Sequence, residues 1–133
     1  MIKLLIGSKG SGKTKTLIEL VNNATAASKG NVVCIEKGDT LKHDITYKAR
    51  LIDAEYYSVS GADALYGFIA GILASNTDIT DLFVDSTLKI CGGDVLAYAG
   101  AVNKLDKITS DVNIVMTVSI APEDLPEALK AYV

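Results

Sequence analysis

Apolar residues follow two alternating rhythms along the chain. Four short apolar runs stand out: Met1 to Ile6, Val32 to Ile35, Leu82 to Val84 and Ile114 to Val118. Each is only a few residues long and is bounded by glycine or polar residues, which predicts strands buried in a sheet. Between the runs the spacing changes to three and four. Leu17, Ile18, Val21 and Ala24 share one helical face, as do Leu65, Phe68, Ile69, Ile72 and Leu73, and then Tyr98, Val102, Leu105 and Ile108. Punctuation agrees with these helices. Ser28-Lys29-Gly30-Asn31 gives the first a basic last turn and a glycine stop, Ser60 to Asp63 can start the second and Asn76 close it, and Asp94 can cap the third. Pro122 and Pro126 suit the first turns of a short terminal helix.

One segment has a different period. From Ile45 to Leu51, apolar and polar residues alternate strictly, which predicts a half-exposed strand, with Tyr56 to Val59 as its partner across Asp53-Ala54-Glu55. Gly67 and Gly71 stand at GxxxG spacing and predict close helix packing within a soluble core. Strands alternating with helices imply an α/β fold, an open and mainly parallel sheet with helices on both faces, in a single domain over residues 1–133. Ligands of such sheets bind beyond the carboxyl ends of the strands. Gly7, Glu36, Asp85 and Ser119 are at those ends and are expected to converge. If the first strand has a neighbour on one side only, its free edge invites self-association or a protein partner.

The first strand runs into Gly7-Ser8-Lys9-Gly10-Ser11-Gly12-Lys13-Thr14, which fits G-x-x-x-x-G-K-[ST] at every fixed position. Glycines allow the backbone to wrap an anion with its N–H groups pointing inward. Lys13 would place its ammonium on the β- and γ-phosphates, the Thr14 hydroxyl would ligate Mg²⁺, and the following helix, beginning near Lys15, points its positive end at the same anion. Strand before and helix after are the context the pattern requires. Such a loop needs a carboxylate at the end of another apolar strand to complete the metal site, and Asp85 in DLFVDS has that position. Asp81 comes before the same run, at its wrong end.

Composition narrows the partners. The chain has 133 residues, 49% of them apolar and 22% charged, with a net charge of −3. That is a globular composition, and its acidity argues against nucleic acid as a partner. Cys34 lies in a strand-like run and reads as a buried small hydrophobe, while Cys91, before Gly92-Gly93, reads as accessible; neither belongs to a CxxC motif. His43 has no second metal ligand nearby and reads as a loop residue. Neither a secretory leader nor an apolar stretch long enough to span a bilayer is evident, so no membrane association and a cytoplasmic location are expected.

With GSKGSGKT, DLFVDS and the strand–helix alternation in place, the chain resembles the P-loop NTPases, over most of its length. The Asp-Ser ending looks like the RecA-like branch. The resemblance implies a three-layer architecture, ATP and Mg²⁺ as ligands, Lys13 as a catalytic residue, and Gly7 to Lys15 as the nucleotide-binding segment, with Thr14 and Asp85 on the metal. Many members place Glu directly after the strand-end Asp; here Ser86 stands there. RecA-like members can carry the water-activating Glu at the end of the strand after the first helix, and Glu36 has that place. The resemblance therefore implies a slow or partner-stimulated ATPase with Glu36 as general base, or, if that base is absent, a non-hydrolysing ATP-binding switch module. Three subtypes fit less well. Asn103-Lys104-Leu105-Asp106 matches the guanine-reading N-K-x-D of GTPases but falls within a helical stripe. The signature Lys of the MinD-like group would fall at Ser8. An arginine-rich kinase lid is excluded because Arg50 is the only arginine. Lys48 and Arg50 share the polar face of the alternating segment, where they would reach a triphosphate or simply face solvent. Thr117 and Ser119 are hydroxyl candidates for sensing the γ-phosphate.

Overall fold

A computed structural model describes residues 1–133. Its centre is a five-stranded sheet in which every neighbouring pair is parallel, ordered β1 (Ile2–Gly7), β5 (Asn113–Ser119), β4 (Ile79–Val84), β2 (Asn31–Glu36), β3 (Arg50–Asp53). Parallel neighbours need crossover connections. These are α1 (Lys13–Ala27) between β1 and β2, α2 (Ala62–Ser75) between β3 and β4, and a short α3 (Thr87–Ile90) followed by α4 (Val95–Asp106) between β4 and β5. Two 3-10 segments, Pro122–Asp124 and Glu127–Tyr132, follow the sheet, with Pro122 at the start of the first and Pro126 capping the second. No helix is long and apolar enough to cross a membrane.

Side-chain alternation along the strands sorts the core into two layers. Val32 and Cys34 of β2 and Phe83 of β4 point to one face, where Leu17 and Val21 of α1 cover them. Val33, Ile35, Leu82, Val84, Ile114 and Met116 point to the other, beneath Leu65 and Ile69 of α2 and Tyr98, Val102 and Leu105 of α4. This is the expected layout of helices on both faces. Each fully buried aliphatic side chain contributes about 1.5–3 kcal/mol by leaving water.

Three expectations fail here. Residues 45–49 are turns, and only Arg50–Asp53 joins the sheet, pairing parallel to β2 at its edge. The alternation arose differently: Ile45 and Ala49 are both buried beneath α1, and Tyr47 between them stands in solvent. The backbone of this loop is satisfied without a ladder. Asn22 of α1 donates to the Asp44 carbonyl (3.0 Å) and accepts from the Thr46 N–H (2.9 Å). The 56–59 segment is also a turn, closed by Ser58 N–H to the Glu55 carbonyl and Val59 N–H to the Ala54 carbonyl, with Ser58 left-handed at φ 59°. Gly67 and Gly71 lie on the exposed face of α2, where an added Cβ would meet nothing within 4 Å, so the GxxxG spacing packs nothing.

β1 and β3 are the two sheet edges. β1 pairs with β5 alone, so its outer edge has no strand partner, and the exposed Lys3 discourages indiscriminate pairing there.

The burial pattern makes Leu17 a keystone of the smaller layer. Leu17→Ala should lower unfolding free energy by about 2–5 kcal/mol in urea titration. Leu96→Ala, at a site 78% exposed, should change it by less than about 0.5 kcal/mol.

Candidate functional site

An all-parallel sheet puts every strand's carboxyl end on one rim, and the order of the strands sets which ends are neighbours. From one edge to the other the ends are Gly7, Ser119, Asp85, Glu36 and Asp53. Gly7 is opposite Ser119 in the ladder, and the Asp85 N–H donates to the Ile35 carbonyl (2.8 Å) across the β4–β2 boundary.

From Gly7 the chain turns through the glycine-rich loop into α1. Two glycines suit the geometry. A Cβ on Gly7 would lie 2.5 Å from Ser11 Oγ, so any side chain there would have to push Ser11 aside. Gly12 caps α1 in the left-handed region at φ 90°, where a Cβ clashes with its own carbonyl. No side chain caps the helix start, leaving its first N–H groups directed at the loop. The Lys13 ammonium folds into the loop, donating to the Ser8 carbonyl (2.9 Å) and to Ser11 Oγ (3.3 Å).

Helix α1 also delivers Thr14 to Asp85. The Thr14 hydroxyl is 3.2 and 3.3 Å from the two carboxylate oxygens of Asp85, joining residues 71 positions apart. Asp85 is 8% exposed and has no cationic partner. Its charge is held by hydroxyls: Thr117 of β5 donates to Oδ1 at 2.6 Å, and Ser86 lies within 3.4 Å of Oδ2. Thr117 in turn accepts the Ser86 N–H at 2.7 Å. That bond helps fix Ser86 in a left-handed conformation at φ 58°, an unfavourable choice for serine that turns the chain sharply into α3. No cluster of three His, Cys, Asp or Glu side chains occurs. A lone carboxylate beside a hydroxyl suits Mg²⁺, which usually takes one or two carboxylates and completes its shell with phosphates and water.

Beside these groups is a cavity of about 830 Å³, lined by Lys9 to Lys15 of the loop except Ser11, by Thr117 and Ser119 of β5, and by Ser86, Leu88, Lys89, Gly92 and Gly93. Its volume falls within the usual range for small-molecule sites, about 300–1,000 Å³. Four lysines and no acidic residue form its lining, so it is locally basic in a chain of net charge −3.

The rim does not gather all the expected residues. Glu36 is separated from β1 by two strands, about 14 Å at ~4.8 Å per spacing. It is 2% exposed, and both oxygens are committed locally: Oε1 accepts Thr40 N–H (2.9 Å) and Thr40 Oγ1 (3.0 Å), and Oε2 accepts Leu41 N–H (3.1 Å). The carboxylate braces the turn after β2 and is not part of the cavity lining. Lys48 and Arg50 line a separate recess with Asn31, Asn76 and Ile79, near the amino ends of β2 and β4. NKLD lies in the last turn of α4: Asn103 and Asp106 both face the Tyr132 hydroxyl (3.1 Å each), and the Lys104 ammonium stacks 4.1 Å above the Tyr66 ring. Of the two hydroxyl candidates, Thr117 is directed at Asp85 and Ser119 lines the cavity. Cys91 is buried, not accessible; burial and then the Asp94 charge push its thiol up to about 11. Burial, then the Asp85 and Glu36 carboxylates, push the Cys34 thiol up to about 12. Both thiols are protonated and unreactive near neutral pH.

Sequence reasoning missed the 86–93 wall entirely. Its one available signal was the pair of glycines closing a short segment directly after the strand-end carboxylate.

Fold and geometry define an all-parallel five-stranded α/β domain with a basic cavity at the carboxyl rim. No protein-family model matches the chain, and no curated protein matches it in sequence. Among solved structures with the same fold is that of C. elegans PCH-2, at 16% identity with a TM-score of 0.57. The match covers 99% of this chain and 33% of that one, so the chain spans about a third of the length of PCH-2. At that identity the likeness is one of fold.

Glu36 provides a direct check on this geometry. Each Glu36 oxygen accepts a backbone N–H, so whichever of them becomes the NH₂ in Glu36→Gln loses at least one of the three bonds. Unfolding free energy should drop by about 1–3 kcal/mol, with any nucleotide turnover per folded molecule unchanged. Unaltered stability with turnover reduced by ~10²–10⁴-fold would instead make Glu36 the base.

Proposed function

We propose that the chain binds ATP with Mg²⁺ in the rim cavity and acts as a slow or partner-stimulated ATPase. The observation that carries this reading is the meeting of Thr14 and Asp85 beside the Lys13 ammonium. The motif supplies an anion cradle, and a carboxylate from another strand reaches the hydroxyl that follows the lysine. In this reading the loop N–H groups and Lys13 bind the phosphates, Lys9 and Lys15 add to the positive field, and Thr14 and Asp85 hold Mg²⁺. The metal's contribution is to neutralise charge on the phosphate oxygens. Thr117 keeps Asp85 aimed at Thr14. Water exclusion falls to Leu88 and the rest of the wall opposite the loop. The fold shared with PCH-2 is compatible with this reading.

Adenine is the proposed base because the NKLD segment is engaged with Tyr132 and Tyr66, away from any strand end. A second reading, a switch module that holds ATP without turnover, is favoured by one observation: no unengaged carboxylate lines the cavity, since Glu36 is bound to its own turn. The free outer edge of β1 is the proposed site for a second copy or a protein partner.

Lys13→Ala should weaken Mg-ATP binding by about ten- to a hundredfold and leave adenosine unaffected, read by calorimetry. Unchanged ATP affinity would remove the loop from the function. Asp85→Asn should instead reduce the gain in ATP affinity that Mg²⁺ confers. Phosphate release by the wild type separates ATPase from switch module. Light scattering with and without ATP reads self-association, and a strictly monomeric mass leaves only the partner version.

A further inference from the structure

The phosphate loop forms one side of the cavity, and residues 86–93 form the side across from it. The closing turn of that second wall is bonded back on itself. The N–H groups of Cys91, Gly92 and Gly93 donate back to the carbonyls of Thr87 (3.1 Å), Lys89 (3.0 Å) and Leu88 (2.9 Å). The Ser86 N–H is taken by Thr117. Glycines 92 and 93 present no side chain, and Leu88 is apolar. Ser86 keeps a hydroxyl there and the start of α3 carries no side-chain cap, but the one charged group on this wall is the Lys89 ammonium.

Lys89 is exposed at the cavity and has no carboxylate partner; the chain's two ion pairs are Lys42–Asp39 and Lys130–Glu127. Its backbone is nonetheless firmly seated. Thr87 is fully buried and Ile90 is 2% exposed. The Thr87 hydroxyl donates to the Thr117 carbonyl (2.8 Å) and lies 2.9 Å from the Tyr98 hydroxyl, tying α3 to β5 and α4. The same short helix begins two residues after Asp85, so Lys89 follows closely on the strand end that carries the metal-side carboxylate. Lys9, Lys13 and Lys15 are all on the loop side. Lys89 is therefore the one cation at the cavity that comes from outside the loop and α1.

Building on the ATP reading, we propose that Lys89 contacts the terminal phosphate of a nucleoside triphosphate and makes the cavity select triphosphate over diphosphate. The loop and Lys13 serve both ligands. Only the third phosphate extends towards the opposite wall, and a cation there that has no other partner gains most from it.

The test is calorimetry of ATP and ADP, each with Mg²⁺, on four proteins: wild type, Lys89→Met, Lys89→Arg and Lys107→Met, the last a charge control at the end of α4. Lys89→Met should reduce the ratio of ATP to ADP affinity by about ten- to a hundredfold, with ADP affinity nearly constant. Lys89→Arg and Lys107→Met should keep the wild-type ratio. Equal losses for both nucleotides in Lys89→Met, or an unchanged ratio, would overturn the assignment while leaving the ATP reading intact. A wild type that binds neither nucleotide would overturn the ATP reading and the Lys89 assignment with it.

Discussion

The Asp85 carboxylate is the point on which the site depends. It ends β4, accepts a hydroxyl from β5 through Thr117, and meets a hydroxyl from α1 through Thr14. A charge that is 8% exposed with no cation near it is costly unless donors surround it. Here hydroxyls do so, and hydroxyls can turn. They stabilise the carboxylate without neutralising it, so it retains an appetite for a cation that a fixed Lys or Arg would have satisfied. The same bonds position the loop: Thr14 can reach Asp85 only if α1 begins where Gly12 lets it begin.

Parallel topology supplies the rest of the arrangement. Because every crossover returns to the same end of the sheet, the loop after β1, the carboxylate after β4 and the hydroxyls of β5 share a rim with no further design. The strand order then determines which of them cooperate. β5 lies between β1 and β4, which puts Thr117 between the loop and Asp85. β2 lies beyond β4, which puts Glu36 out of the group despite its equivalent place at a strand end.

What could be read from the sequence follows from this. The glycine-rich loop between β1 and α1, the strands and helices around it, and the place of Asp85 at a strand end were legible because each has a local signature: glycines at fixed offsets, a period of two or four, an acid closing an apolar run. Strand order has no local signature, so Glu36 looked as eligible as Asp85. Residues 45–51 misled for a related reason. Ile45 and Ala49 are buried by a turn that Asn22 fastens to α1, and alternation cannot tell such a turn from a strand when the donors come from a distant side chain. Cys91 beside two glycines suggested exposure. In fact the chain there folds back on α3, and the glycines serve a turn whose thiol faces the core.

Charge distribution carries the argument one step further. Net charge of −3 made a basic face improbable, yet the lining of one cavity holds four lysines and no acid. Lysine is long and flexible, so its position is fixed only when something binds it. Lys13 is bound, to the loop itself; Lys89 has no acidic partner. A site that holds one cation firmly and leaves another free on the opposite wall can grip a polyanion at its inner end and respond to whether its outer end is present. On the proposed ATP reading, that asymmetry would let the protein behave differently before and after the terminal phosphate is lost.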